Sequence, residues 1–130
     1  MKDLDLLAAQ TGQEIIAQTE SRSANDVENL ITKSLGVLQE NGVYAALLYL
    51  YSRSNTTEKP IAVPTRKNLL ALLRKLDLSA PEGNDATVAL KFLTDDICSN
   101  LDRLLLVKQL WEQTLIYTRY GAKARSAAEG

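Results

Sequence analysis

An all-α fold, a compact bundle of five or six helices with a long C-terminal helix, is what this sequence predicts. Three observations point to it. Apolar residues recur at helical spacing along most of the chain. No segment reads convincingly as a half-buried strand. The polar and Gly/Pro-containing breaks fall where one helix would hand over to the next.

Leu4, Leu7, Ala8, Thr11 and Ile15 share one helical face, and Asp3 stands where it can accept the first free amide hydrogens, so a first helix is expected over about residues 3–19. Glu20-Ser21-Arg22-Ser23 breaks it. Ser23 with Asp26, or Asn25 with Glu28, has the spacing of a capped start for a second helix carrying Val27, Leu30, Ile31, Ser34, Leu35 and Leu38. Asn41-Gly42 then suits either a hairpin or a helix break. The flanks have helical spacing, which favours the break. The apolar run Val43 to Tyr51 forms the third helix, and at nine residues it falls well short of the roughly 20 that span a membrane.

Residues 52–64, with Pro60 and Pro64, read as the most evident loop, because proline opposes a helix running through. Thr65 is then the expected cap of a helix bearing Leu69, Leu70, Leu72, Leu73 and Leu76, which ends in the turn-rich stretch Asp77 to Asp85. A shorter helix follows over Ala86 to Ile97. Ser99 or Asn100 can cap the final helix, Leu101 to about Ala122. Its residues Leu104, Leu105, Leu106 and Val107 cover most of the circumference, so its first half is expected to be buried.

With 130 residues, 45% hydrophobic and 24% charged, the chain has the composition of one domain over 1–130. At that length folding buries roughly two-thirds of the unfolded surface, enough for a core without metal or disulfide staples. One cysteine, Cys98, permits no internal disulfide and points to a reducing compartment. The start, Met1-Lys2-Asp3-Leu4-Asp5, lacks the basic-then-apolar pattern of a targeting segment. A cytoplasmic protein without membrane contact is expected.

The chain contains no histidine, which removes the commonest general base and zinc ligand and weakens hydrolase and metal-site readings. The glycines at 12, 36, 42, 83, 121 and 130 show no phosphate-cradling spacing. Asp95, Asp96 and Asp102 form the one notable carboxylate cluster, but adjacent helical residues diverge by about 100°, so capping or solvent exposure is the expected role. Cys98 has no histidine partner and is expected against the core. Trp111 and the tyrosines 44, 49, 51, 117 and 120 are expected to pack in the core, with Tyr51 and Tyr120 as exposed exceptions. No catalytic residue, cofactor or metal site is assigned.

Charge is the informative feature. The formal net charge of -1 conceals alternation: residues 1–50 carry -4, residues 51–75 carry +5, residues 76–102 carry -5 and residues 103–125 carry +4. Arg66, Lys67, Arg74 and Lys75 fall on the half of the fourth helix that its leucines leave open. On the last helix, Lys108, Arg119 and Lys123 lie within about 60° of one another, with Glu112 among them, in a stripe about 22 Å long. Such a stripe can track phosphates, although charge runs on helices are usually a solvated face that keeps a protein soluble.

Two stretches carry a resemblance: Leu38-Gln39-Glu40-Asn41-Gly42-Val43-Tyr44-Ala45-Ala46-Leu47-Leu48-Tyr49-Leu50 and Leu115-Ile116-Tyr117-Thr118-Arg119-Tyr120-Gly121-Ala122-Lys123-Ala124. With the helical layout, they resemble the small α-helical subunit of the type III-B CRISPR (Cmr) RNA-guided effector complex of antiviral defence. The resemblance implies a non-catalytic subunit that stacks in copies, docks on other Cmr subunits and contacts guide and target RNA through basic surfaces. Of the basic residues, Arg119 and Lys123 sit within the matching C-terminal stretch. Lys67, Arg74, Lys75 and Lys108 join them as candidate nucleic-acid-binding residues on charge geometry alone. The rival expectation is a helical protein–protein adaptor that touches no nucleic acid and exposes an apolar patch.

Overall fold

The computed structural model describes residues 3–129, so Met1 and Lys2 of the N-terminal pattern, and Gly130, lie outside it. Six helices follow in order: α1 Leu4–Gln18, α2 Ala24–Asn41, α3 Val43–Ser52, α4 Lys59–Lys75, α5 Ala86–Phe92 and α6 Leu101–Glu129. A π-helical turn, Leu93–Ile97, continues α5. Among the described residues there is no strand. The all-α fold with a long last helix is therefore as expected.

Most helix ends follow from local chemistry. Asp3 accepts from the Leu6 amide at 3.1 Å and Ser23 from the Asp26 amide at 3.0 Å, each satisfying a first-turn donor. Asp85 caps α5 through the Thr87 and Val88 amides, and Asn100 rather than Ser99 caps α6 by accepting from the Arg103 amide. Gly42 has φ +96 and ψ -173, a conformation open essentially to glycine, and it ends α2 while starting α3. Asn41-Gly42 is thus a helix break and not a hairpin.

Several expectations need correction, the tyrosines among them: Tyr44 is exposed, while Tyr51 is half-buried against the core. The 52–64 loop shrinks to residues 53–58, because α4 begins at Lys59 and runs through both prolines. Pro60 lies in the first turn, where no amide donor is needed. Pro64 falls on the outer half of α4, where the carbonyl left without an amide partner can turn to water. Asn55 starts the turn instead, accepting from the Thr57 and Glu58 amides at 3.1 and 2.7 Å. Thr65 is accordingly not a cap; it is buried in α4 and donates to the Ile61 carbonyl at 2.7 Å.

The first half of α6 is not the buried part. Leu101 and Leu105 are 68% and 56% exposed, and burial begins at Val107 and runs through Leu110, Trp111, Thr114, Leu115 and Thr118 to Ala122. The reason is where its neighbour starts: Leu4 and Asp5 lie beside Gln109, Leu110 and Gln113, so α1 offers nothing to the first turns of α6. Cys98 departs from expectation as well. It is exposed just after the π-helical turn, not packed in the core.

Around the core, α6 lies against α1 and α2, α3 joins α2 to α4, and α4 closes back on α1. Parallel packing of α1 and α6 is fixed by successive contacts. Tyr117 donates to Asp5, Gly12 faces Tyr117 and Thr118, Gly121 faces Ile16, and Arg125 donates to the carbonyls of Thr19 and Arg22. Trp111, fully buried, donates from Nε1 to the Leu69 carbonyl at 3.0 Å and ties α6 to α4. One continuous cluster of mainly aliphatic side chains, with Phe92 and Trp111, from all six helices and the π-helical turn fills the interior.

Candidate functional site

The end of α4 determines the better-formed of two basic surfaces. Asp77 adopts φ +64, a left-handed conformation, while the Leu78 amide reaches back to the Leu73 carbonyl at 3.0 Å and the Asp77 amide to Arg74 at 3.0 Å. This reversal satisfies carbonyls at the helix end and folds the following loop back beside α4. Consequently the Pro81 carbonyl accepts from Arg74 Nη1 at 2.9 Å, and the Glu82 carboxylate stands 3.7 Å from Arg74 Nε.

Between the loop and α4 lies a cleft of about 150 Å³ onto which Arg66, Lys67 and Arg74 converge, with Tyr51, Glu82 and Gly83 completing its wall. The Arg66 guanidinium stacks over the Tyr51 ring, 4.4 Å from its centroid. Such stacking holds a cation in place without neutralising it. Lys67 is exposed and forms no ion pair among the described residues. Lys75 is exposed too, but it does not line the cleft.

The second surface is the flank of α6. Lys108 and Arg119 are half-buried and Lys123 is exposed. At about 100° per residue these three lie on the side of α6 away from Tyr117, Gly121 and Arg125, hence away from α1. Arg119 has its Nε buried without a hydrogen-bond partner, and its guanidinium carbon lies 6.0 Å from the Tyr120 centroid. The α4 and α6 sets therefore sit on different parts of the bundle. None of Lys108, Arg119 and Lys123 lines the α4 cleft.

Sequence reasoning placed Lys67 and Arg74 in the candidate set but omitted Arg66, Tyr51 and the Pro81-Glu82-Gly83 segment that complete the cleft. Arg66 belonged to the same basic run and was the legible signal. The loop's return was not legible, because it depends on Asp77 taking a left-handed conformation that aspartate adopts only in some contexts, which the local sequence does not specify.

Other reactive groups have quieter surroundings. Asp95 pairs with Lys91 at 3.3 Å, and all three aspartates of the cluster are exposed. Among the described residues no three His, Cys, Asp or Glu side chains gather as a metal site would require. Partial desolvation raises the Cys98 thiol above its ordinary pKa, which disfavours the thiolate even though the residue is exposed overall. No helix among the described residues is long and apolar enough to cross a membrane. The chain matches no protein-family model and no curated protein.

Proposed function

We propose that this chain is the non-catalytic small subunit of a type III-B CRISPR (Cmr) ribonucleoprotein, working in the cytoplasm, stacked in copies beside other Cmr subunits and touching guide or target RNA through basic helix faces. The observation that carries the RNA contact is the convergence of Arg66, Lys67 and Arg74 on one cleft, with a single carboxylate to answer three cations. Phosphates are the natural counter-charge for such a surface, and neutralising them releases counterions without reading sequence. The resemblance of residues 38–50 and 115–124 is what suggests this assembly over other ribonucleoproteins. Tyr44, Leu48, Leu101 and Leu105 are large apolar side chains left exposed, as copy-to-copy or subunit contacts need.

A second reading, the protein-only adaptor, draws on the seam between α1 and α6. There an open, mainly apolar groove of about 440 Å³ is bordered by Ala9, Gly12, Ile16, Tyr117 and Gly121. Affinity purification of the tagged chain from its own cells, with and without ribonuclease, separates the readings. Copurifying guide RNA and ribonuclease-sensitive partners are expected; partners retained in full without any RNA would establish the adaptor. Within the assembled complex, reversing Lys108, Arg119 and Lys123 together is expected to weaken RNA binding, and unchanged binding would remove α6 from the interface.

A further inference from the structure

We propose that the cleft between α4 and the 78–85 loop is a phosphate site that takes one backbone phosphate of an RNA strand, and that Glu82 is its built-in competitor. The inference rests on the RNA-contacting reading above and names the site and its control. Three positive groups line the cleft, and two of them are oriented before any ligand arrives. Arg66 is held by the Tyr51 ring and Arg74 by the Pro81 carbonyl. A site whose donors are already ordered loses little side-chain entropy on binding. Lys67 contributes an exposed ammonium with no carboxylate of its own among the described residues.

Glu82 is the one acidic side chain on the cleft. Its carboxylate lies 3.7 Å from Arg74 Nε, beyond hydrogen-bond length, and its side chain is 82% exposed. It is therefore an ion-pair partner that swings away at small cost, since exposed pairs contribute little. Arg74 itself stays in place when Glu82 leaves, because the Pro81 carbonyl still holds Nη1. A phosphate oxygen can then take the position of the carboxylate on a guanidinium that is already aimed. Gly83 lines the cleft beside Glu82, and the space where its Cβ would stand is open.

The experiment uses the full chain and a short fluorescein-labelled oligouridylate, with binding read by fluorescence anisotropy between about 50 and 200 mM salt. Glu82→Gln is expected to tighten binding about two- to fivefold by removing the competitor. Glu40→Gln, at an exposed position near the end of α2, changes net charge equally and is expected to leave affinity unchanged. Lys67→Gln is expected to weaken binding and make the logarithmic salt slope shallower by about 0.7, one phosphate contact on a single strand. All the replaced side chains lie at the surface or beside the cleft, so folding is not at stake.

No gain from Glu82→Gln, or an equal gain from Glu40→Gln, overturns the site. Unlabelled oligouridylate should displace the probe at concentrations where inorganic phosphate of equal phosphate content does not. Equal displacement by inorganic phosphate would make free anion the ligand and overturn the strand. These measurements use the isolated chain, so their failure is distinguishable from failure to find guide RNA in the purified assembly.

Discussion

Alanine substitution at three helical glycines should separate close helix packing from mere helix propensity. Gly36 lies in α2 with nothing within 4 Å of where a Cβ would stand. Gly36→Ala should therefore deliver the propensity gain alone, about 0.5–1 kcal/mol. At Gly12 a Cβ would meet Tyr117 Cβ at 3.3 Å and the Thr118 backbone nitrogen at 3.4 Å. Those atoms are anchored to the α6 backbone, so α1 and α6 must separate by tenths of an ångström. Overpacking of that kind costs about 1–3 kcal/mol, which exceeds the propensity gain and leaves Gly12→Ala neutral to about 2 kcal/mol less stable. Gly121→Ala meets Ile16 Cγ1 at 3.0 Å, but a half-buried isoleucine side chain can move, so it should fall between the other two. Urea unfolding followed by circular dichroism gives the three values under one set of conditions. If Gly12→Ala stabilises as much as Gly36→Ala, α1 and α6 do not approach as closely as described, and the placement of the α6 basic flank loses its support.

Further outcomes are expected elsewhere. Gly42→Ala should cost about 1–3 kcal/mol, because φ +96 with ψ -173 strains any L side chain, and the loss is measurable in the same urea assay. Asp77→Gly should raise stability by up to about 1 kcal/mol by relieving the left-handed residue at the α4 end. Trp111→Phe should cost about 1–3 kcal/mol through the lost hydrogen bond to the Leu69 carbonyl, and a stability unchanged by it would refute the α4–α6 tie. Tyr117 has its pKa raised above 10.0, chiefly by donating to Asp5, so its contribution is complete below the unfolded value and fades as pH rises through the folded one. Tyr117→Phe should consequently abolish the part of the alkaline stability loss that belongs to this residue, as read by thermal melts above pH 10.

The elements legible in the sequence were those governed by neighbours a few residues away. Val27, Leu30, Ile31, Ser34, Leu35 and Leu38 face the core of α2 as their spacing requires, and Asp3 and Ser23 cap as short polar residues before an apolar run do. What was misread depended on distant partners. The burial of Leu101 and Leu105 hinged on how far α1 reaches along α6, which no helical wheel contains. The prolines were misread for a different reason: Pro60 is in the first turn, where its missing donor costs nothing, and Pro64 removes one hydrogen bond inside α4 on the outer half, where water can reach the freed carbonyl while the buried face holds the helix in place.

Charge blocks counted along the chain overstate what a polyanion would meet, and the difference is structural. Of the five cations in residues 103–125, Arg103 donates to the Asp96 carbonyl and Arg125 fastens the α1–α2 corner through Thr19 and Arg22 while pairing with Glu129. Only Lys108, Arg119 and Lys123 remain for a ligand. In residues 51–75, Arg53 faces Glu58 at 3.7 Å and covers the Tyr49 ring, which withdraws it as well. The acidic block that follows is not a separate face, because Glu82 folds back onto the basic helix before it. Some opposite charges of neighbouring blocks thus meet within the fold, Arg74 with Glu82 and Arg53 with Glu58, so fewer cations stand unpaired than the block counts imply. The cations left over are few but held on rigid helices, and under the proposed assembly their contacts with one strand would add up from copy to copy, so affinity should rise above that of the single chain.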